Sequence, residues 1–403
     1  MSAPAGSEPL LTRRFVIVVL SGLCYFGAIG VLLPIVPRYV QHRLGGGDVA
    51  VGVAVGALAV GAILLRPLAG RLGDRFGRRV LMIGGAAVVG VMAAGAGLVP
   101  SLGYLIATRV VMGLGEAAFF VGGTTMATDL APVARRGEAV SYWSVAVWGG
   151  LSLGPVLGEG VLDGSHYDRV WITAGVLGIA AALIALATTE TRGDGPPVRG
   201  RLIHPAAVRP GVLLAASLVG IVGFNTFLPL YAPEVGVSDV GLLFLLYGVI
   251  VLGVRIFGAR LPDRLGPIRA GTIAMGATTI GLAIIAAWHT TIGVVLGSMM
   301  LAVGASFMYP ALLLLALSGV SEGERGSVVG TFSAFFDFAN GAGGVVLGTI
   351  AAFSSYRGAF AFGAVLAFVA FVLLRTGFAH EAPGPVPPIA SLEAAAYESD
   401  PLL

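Results

Sequence analysis

Twelve apolar stretches, each near the length that crosses a bilayer, dictate what this chain can become. They run at roughly 15–37, 49–68, 80–99, 102–124, 139–161 and 170–189, then 211–232, 240–258, 268–288, 292–317, 327–350 and 358–377. A hydrocarbon layer about 30 Å thick takes about 20 helical residues to cross. No water satisfies the backbone there, so segments this apolar fold as helices whose N–H and C=O groups pair internally. Composition agrees. The sequence is 57% hydrophobic and 11% charged, where soluble domains carry about 25% charged residues. The expected fold class is an all-α membrane protein.

The stretches fall into two sets of six. Residues 13–189 form one expected bundle and 211–377 the other. A polar linker at 190–210 carries Arg192, Arg199, Arg201 and Arg209. Residues 1–12 and 378–403 read as disordered tails. Arg13 and Arg14 precede the first stretch, as in a twin-arginine export signal. That stretch is too long for a signal core, and no A-x-A cleavage site follows. Every basic residue is arginine. Nineteen flank the stretches on one side, Arg66 and Arg255 being counted there as loop residues. Four, Arg38, Arg43, Arg169 and Arg357, lie on the other side, and Arg109 lies inside a stretch. The excess of positive charge marks the cytoplasmic side, so both termini and the linker are expected in the cytoplasm. Cys24 is the single cysteine, so no internal disulfide forms, and five scattered histidines offer no metal cluster.

One short charged segment is written twice. Gly70–Arg79 reads GRLGDRFGRR, and Gly258–Arg269 reads GARLPDRLGPIR. At an offset of 189 residues, Asp74 matches Asp263, Arg66 matches Arg255, Arg71 matches Arg260, Arg75 matches Arg264 and Gly77 matches Gly266. The same offset pairs Gly115 with Gly304, Arg136-Gly137 with Arg325-Gly326, Ser144 with Ser333 and Gly154 with Gly343. Two related halves joined by a linker suggest two bundles that rock about a shared cavity. The charges of Gly70–Arg79 are costly to bury, so the segment is expected as a tight loop at the membrane surface, turned by its glycines.

These residues carry a resemblance to the major facilitator superfamily across residues 13–377. Gly70–Arg79 is similar to the superfamily's signature loop between its second and third helices. Arg109–Ala117, reading RVVMGLGEA, resembles its fourth-helix motif. Gly150–Gly158, reading GLSLGPVLG, is similar to the antiporter motif of twelve-helix drug:proton exporters, with Glu159 standing where that motif has glycine. The resemblance implies the major facilitator fold, twelve transmembrane helices in two pseudo-symmetric six-helix bundles. It also implies a gate made by Gly70, Asp74, Arg75, Gly77 and Arg78, with Asp263 and Arg264 as the weaker second copy. In the family the acid at Asp74 meets the positive N-terminal end of the eleventh helix. The plain alternative is a solvated loop acid neutralised by its neighbours. From Gly150, Gly154, Pro155 and Gly158 the resemblance implies close helix packing in the fifth span.

Four intramembrane charges are candidates for proton coupling, because such charges are expensive and usually functional. Arg109 and Glu116 are two helical turns apart and share a face. Asp337 lies ten residues into the eleventh stretch, where the bland alternative is a bond to Asn340. Glu159 lies near an outer end and can reach water by snorkelling. Glu116 ranks ahead of Asp337, since Arg109 on its face is placed to modulate it. Candidate cavity residues are Tyr25, Phe26, Phe119, Trp143, Trp148, Phe224, Asn225, Phe227, Phe336 and Asn340. Many of the aromatics would serve ordinary core packing instead. With few amides in the sequence, a sugar site lacks the convergent polar groups it needs. An apolar aromatic pocket with one or two acids suits a lipophilic compound, cations included.

The functional expectation is a proton-coupled secondary transporter of the cytoplasmic membrane, exporting small lipophilic or amphipathic compounds by alternating access. An exporter dedicated to one metabolite, such as a sugar, siderophore or natural product, is the alternative on the same fold, and a proton-coupled importer stands behind it. A lipid flippase or a transporter-like receptor is the rival from another class. No nucleophile–base set and no phosphate loop points to an enzyme. The expected partners are a small lipophilic substrate, protons and membrane lipid, with no cofactor, no metal, no nucleic acid and a monomeric state.

Overall fold

The structure, a computed structural model, describes residues 10–132, 135–191, 203–258, 264–320 and 324–377. Within these, Pro67, Asp74, Arg136, Gly137, Arg325, Gly326 and Ser327 are described by their backbone only. Twelve helices long and apolar enough to cross a membrane account for the described chain. The first six are α1 (Arg13–Leu32), α2 (Asp48–Phe76), α3 (Arg78–Gly95), α4 (Leu102–Asp129), α5 (Arg136–Val161) and α6 (Tyr167–Leu186). The second six are α7 (Pro205–Tyr231), α8 (Val240–Phe257), α9 (Pro267–Ala287), α10 (Thr291–Leu317), α11 (Arg325–Phe353) and α12 (Tyr356–Gly377).

Local chemistry sets the helix ends. Thr12 accepts the Phe15 N–H and opens α1, and Asp239 accepts the Leu242 N–H and opens α8. Pro34, which has no N–H to donate, follows the break after α1, and a short helix Ile35–Arg38 and a π-helical turn Tyr39–Arg43 carry the chain on. Pro205 starts α7 at the position where a missing N–H costs nothing. The second bundle therefore begins six residues before the expected 211, and residues 192–202 of the linker lie outside the described residues.

Each helix pairing in the first half has a mate in the second. α1 packs on α5 and α6, α3 on α4 and α6, and α2 on α4. In the same way α7 packs on α11 and α12, α9 on α10 and α12, and α8 on α10. Two seams join the halves, α2 with α11 and α5 with α8. We call the end where α1 begins and α12 ends the terminal face, and the opposite end the far face.

Along the α2–α11 seam, glycines bring the backbones into contact near the far face. A methyl on Gly52 would overlap the Gly344 carbonyl, and one on Gly56 would overlap the Gly341 carbonyl. Gly70 lies five turns beyond Gly52 and so points the same way, yet a methyl there meets nothing within 4 Å. Gly330 on α11 is open in the same sense. The α5–α8 seam is alike, with Gly241 against Glu159 and Pro155, and Gly248 against Ser152, both toward the far face. The halves are thus closed on each other at the far face and splayed toward the terminal face.

Candidate functional site

Where the α2–α11 seam begins to splay, three charged side chains meet. α2 continues as helix to Phe76, which places Arg66 about 15 Å inside its end rather than in a loop. Its Nη2 reaches both oxygens of Glu116 on α4, at 2.9 and 3.2 Å. Its Nε lies 3.0 Å from Oδ2 of Asp337 on α11. The guanidinium also lies over the Phe120 ring, 5.2 Å from its centroid. Two acids face one arginine, so with both ionised the group carries one net negative charge.

The two contacts differ in quality. Glu116 accepts hydrogen bonds from Arg66, with 15% of its side chain exposed. Asp337 is 5% exposed, and its approach to Arg66 is an ion pair without an aligned hydrogen bond. A buried carboxylate held by attraction alone lacks the hydrogen bonds that offset its desolvation. Arg66 was missed in the sequence because it was counted with the charged segment that follows it, although it lies inside the apolar stretch 49–68. The signal was there in the offset of 189, which aligns Arg66 with Arg255 inside another apolar stretch.

The structure separates Arg109 from Glu116. Arg109 is 7% exposed and donates to the backbone carbonyl of Ala54 on α2 at 3.4 Å, while Glu116 is taken by Arg66. Asn340 donates to the Phe336 carbonyl at 2.9 Å, one turn back on its own helix, and not to Asp337.

Glu159 belongs to the far face. Arg38, just after α1, donates to its Oε2 at 2.8 Å and reaches the Pro229 carbonyl of α7 at 3.3 Å. This joins both halves. A second link stands nearby: Gln41 donates to the Tyr356 hydroxyl at 2.8 Å, and that hydroxyl donates to Asp48 at 3.0 Å. The sequence placed Arg38 on the outer side without a partner, and Tyr356 was not singled out.

The charged segment is helical through Gly70, Arg71 and Arg75. It turns only at Gly77, whose φ of 101° suits glycine. The turn is clasped within the first half. Arg78 pairs with Asp129 at the end of α4, and the N–H groups of Arg78 and Arg79 donate to Glu190 at 3.0 and 3.2 Å. A carboxylate thus caps the N-terminus of α3. The expected contact of Asp74 with the start of α11 lies outside the described residues, as does Asp263. Arg264 is exposed beside a second turn at Gly266, φ 79°.

Of the expected cavity residues, six are core. Tyr25 stacks on Phe119 with centroids 3.8 Å apart, Phe119 stacks on Trp143, and Phe26 packs edge-on against both Phe119 and Trp143. Phe224 packs on Phe244 and Tyr247, and Phe227 stacks on Tyr356. All six are buried. Trp148, Asn225, Phe336 and Asn340 remain partly open. Gly150, Gly154 and Gly158 press α5 onto α1, where a methyl on any of them would strike the backbone between Phe26 and Val31. Pro155 sits in the same helix with its carbonyl toward Gly241.

Comparison with known proteins points one way. The family model of the Major Facilitator Superfamily matches residues 18–344. An uncharacterized MFS-type transporter of Salmonella typhimurium is 29% identical over 327 residues, covering 78% of this chain and 83% of that protein. Among solved structures, the human organic anion transporter MFSD10 superposes with a TM-score of 0.70 at 20% identity, covering 91% of this chain and all of that one. A bacterial homolog of the human lysosomal transporter Spinster, in an inward-facing conformation, gives 0.74 at 18% identity over 94% of this chain and all of that one. At these identities the two structures speak to the fold alone.

Proposed function

The chain belongs to the Major Facilitator Superfamily, an integral membrane transporter with twelve spans, and from that premise we propose that it exports small lipophilic or amphipathic compounds in exchange for protons. The Arg66–Glu116–Asp337 group carries this reading. It lies where the halves begin to splay, and its Asp337 contact crosses between them.

Asp337 is the proton site in this mechanism. When ionised, it ties α11 to Arg66 on α2, and the bundle opens to the terminal face, which we assign to the cytoplasm. A compound enters there, among partly open side chains such as Phe336 and Trp148. The halves then rock so that the far face opens. A proton arriving from outside neutralises Asp337, Arg66 remains with Glu116, and the compound leaves. Return to the cytoplasmic side releases the proton and restores the ion pair. The protein acts in this scheme as a monomer in the cytoplasmic membrane.

Everted membrane vesicles with an acid lumen test the proposal. An amphipathic fluorescent compound should accumulate in the lumen, and a protonophore should release it. Accumulation that a protonophore leaves unchanged would remove proton coupling from the reading.

A further inference from the structure

Arg66 has a structural counterpart that lacks both of its acids. The offset of 189 residues that relates the halves sends Arg66 to Arg255, Asp337 back to Trp148, and Glu116 to Ala305. The structure keeps the relationship in space. Arg66 reaches from α2 to Asp337 on α11, and Arg255 reaches from α8 to Trp148 on α5, its guanidinium 4.9 Å from the ring centroid. Both contacts cross between the halves.

Gly241, Gly248 and Arg255 are spaced by sevens and so share the face of α8 that meets α5. The first two touch α5 tightly. Arg255 lies beyond them on the same face, toward the terminal end of the seam. Arg255 and Trp148 are each partly exposed. No carboxylate pairs with Arg255 among the described residues, and its buried Nε has no hydrogen-bond partner. A guanidinium inside a membrane bundle, set over the Trp148 ring and near Tyr247 but with no carboxylate on it among the described residues, leaves its buried Nε donor unused.

We propose that Arg255 receives the anionic group of an amphipathic substrate, a carboxylate or sulfonate, while Trp148 supplies an aromatic surface for the apolar body. The proposal rests on reading this space as the transport site, and it narrows the substrate class to organic anions. The chemistry is the bidentate pairing a guanidinium makes with a planar carboxylate. The acid-rich group around Arg66 and the arginine on the opposite seam then divide the work. One exchanges protons and the other holds substrate charge.

Matched probes test it by binding alone, so failure of proton coupling and failure of this site read out separately. Purified protein in nanodiscs of phosphatidylcholine is titrated with 2-naphthoate and with its neutral amide, following tryptophan fluorescence. Wild type should bind the carboxylate about tenfold more tightly than the amide, the effect of one charge-assisted pair. Arg255→Gln should abolish the preference while amide binding persists, which also shows that the variant is folded. Arg255→Lys should keep only part of it. Equal binding of the two probes by wild type, or a preference that survives Arg255→Gln, overturns the proposal. So does loss of naphthoate binding on adding phosphatidylglycerol to the nanodiscs, because Arg255 would then serve lipid headgroups.

Discussion

Arg66 and Asp337 belong to different halves of the bundle, yet their Nε and Oδ2 atoms lie 3.0 Å apart. The same arginine hydrogen-bonds Glu116 within its own half. One side chain therefore joins the acids of α4 and α11 and feels any motion of one half against the other. Asp337 is the deeper acid and the less well satisfied. Neutralising it removes a buried charge and the cross-half attraction together, whereas neutralising Glu116 leaves the cross-half contact in place.

The first prediction follows from that asymmetry. Asp337→Asn should abolish substrate-induced proton release from detergent-solubilised protein while substrate binding is retained. Glu116→Gln should reduce the release without abolishing it. The assay records pH in weakly buffered solution as substrate is added. If Asp337→Asn releases protons like wild type, the coupling acid lies elsewhere, and Glu159 becomes the next residue to test.

Removing Arg66 has a different signature. Arg66→Ala leaves two carboxylates buried together without their cation, a change that costs about 3–5 kcal/mol in buried sites. Thermal unfolding should show a clear loss of stability. The double variant Arg66→Ala with Asp337→Ala should recover part of it, since one uncompensated charge has gone. A double variant no more stable than Arg66→Ala alone would show that the ion pair does not couple the two helices.

Much of the architecture was legible because the bilayer leaves few solutions. Apolar length gave twelve spans, and the repeated segment gave two halves. The acids Glu116 and Asp337 also stood out, as rare charges in apolar surroundings. What stayed hidden was pairing across helices. Arg66 read as a loop residue because a run of arginines and glycines resembles a surface turn, but the backbone stays helical until Gly77. Arg109 looked like the partner of Glu116 because both lie on one helix face. Sequence spacing reports neighbours along a helix and is silent about a second helix that reaches in first. The aromatics show a similar limit. Tyr25, Phe119 and Trp143 interlock into core, and residue type alone does not distinguish a ring in a core from one on a cavity wall.

Orientation gives a third prediction. Arg71 and Arg75 are exposed on α2 near the terminal face, and basic residues favour the cytoplasmic side. Alkaline phosphatase fused after residue 377 should be inactive, and green fluorescent protein at the same site should be fluorescent. Fusions within residues 162–166, on the far face, should give the reverse. An active phosphatase at the C-terminal site would invert the assignment and with it the direction of transport proposed above.

The last prediction concerns the closure of the far face. Arg38 holds Glu159 at 2.8 Å and the Pro229 carbonyl at 3.3 Å, so a single side chain spans the halves. Gly52 and Gly344 let the α2 and α11 backbones touch in the same region. Both features stabilise the conformation seen here, and the Arg38–Pro229 contact and the glycine contact are both lost once the far face opens, while the Arg38–Glu159 pair stays within the first half. Replacing them should therefore shift the population without harming the helices themselves. Arg38→Gln removes the charged donor that holds the Pro229 carbonyl across the halves, a hydrogen bond worth about 1.5–3 kcal/mol. Gly52→Ala puts a methyl against the Gly344 carbonyl, and overpacking of this kind costs about 1–3 kcal/mol. Each change should raise the fraction open at the far face by roughly five- to hundredfold, because each 1.4 kcal/mol shifts an equilibrium about tenfold. The measurement uses a cysteine at Ala59, placed on the α2 seam against Gly341, in a Cys24→Ser background. A membrane-impermeant maleimide added from the far side should label it faster in both variants than in the parent. Labelling at the parent rate in both would mean that neither the Arg38 bridge nor the Gly52 contact holds this face shut, leaving the Gln41–Tyr356–Asp48 link and the other glycine contacts of the two seams.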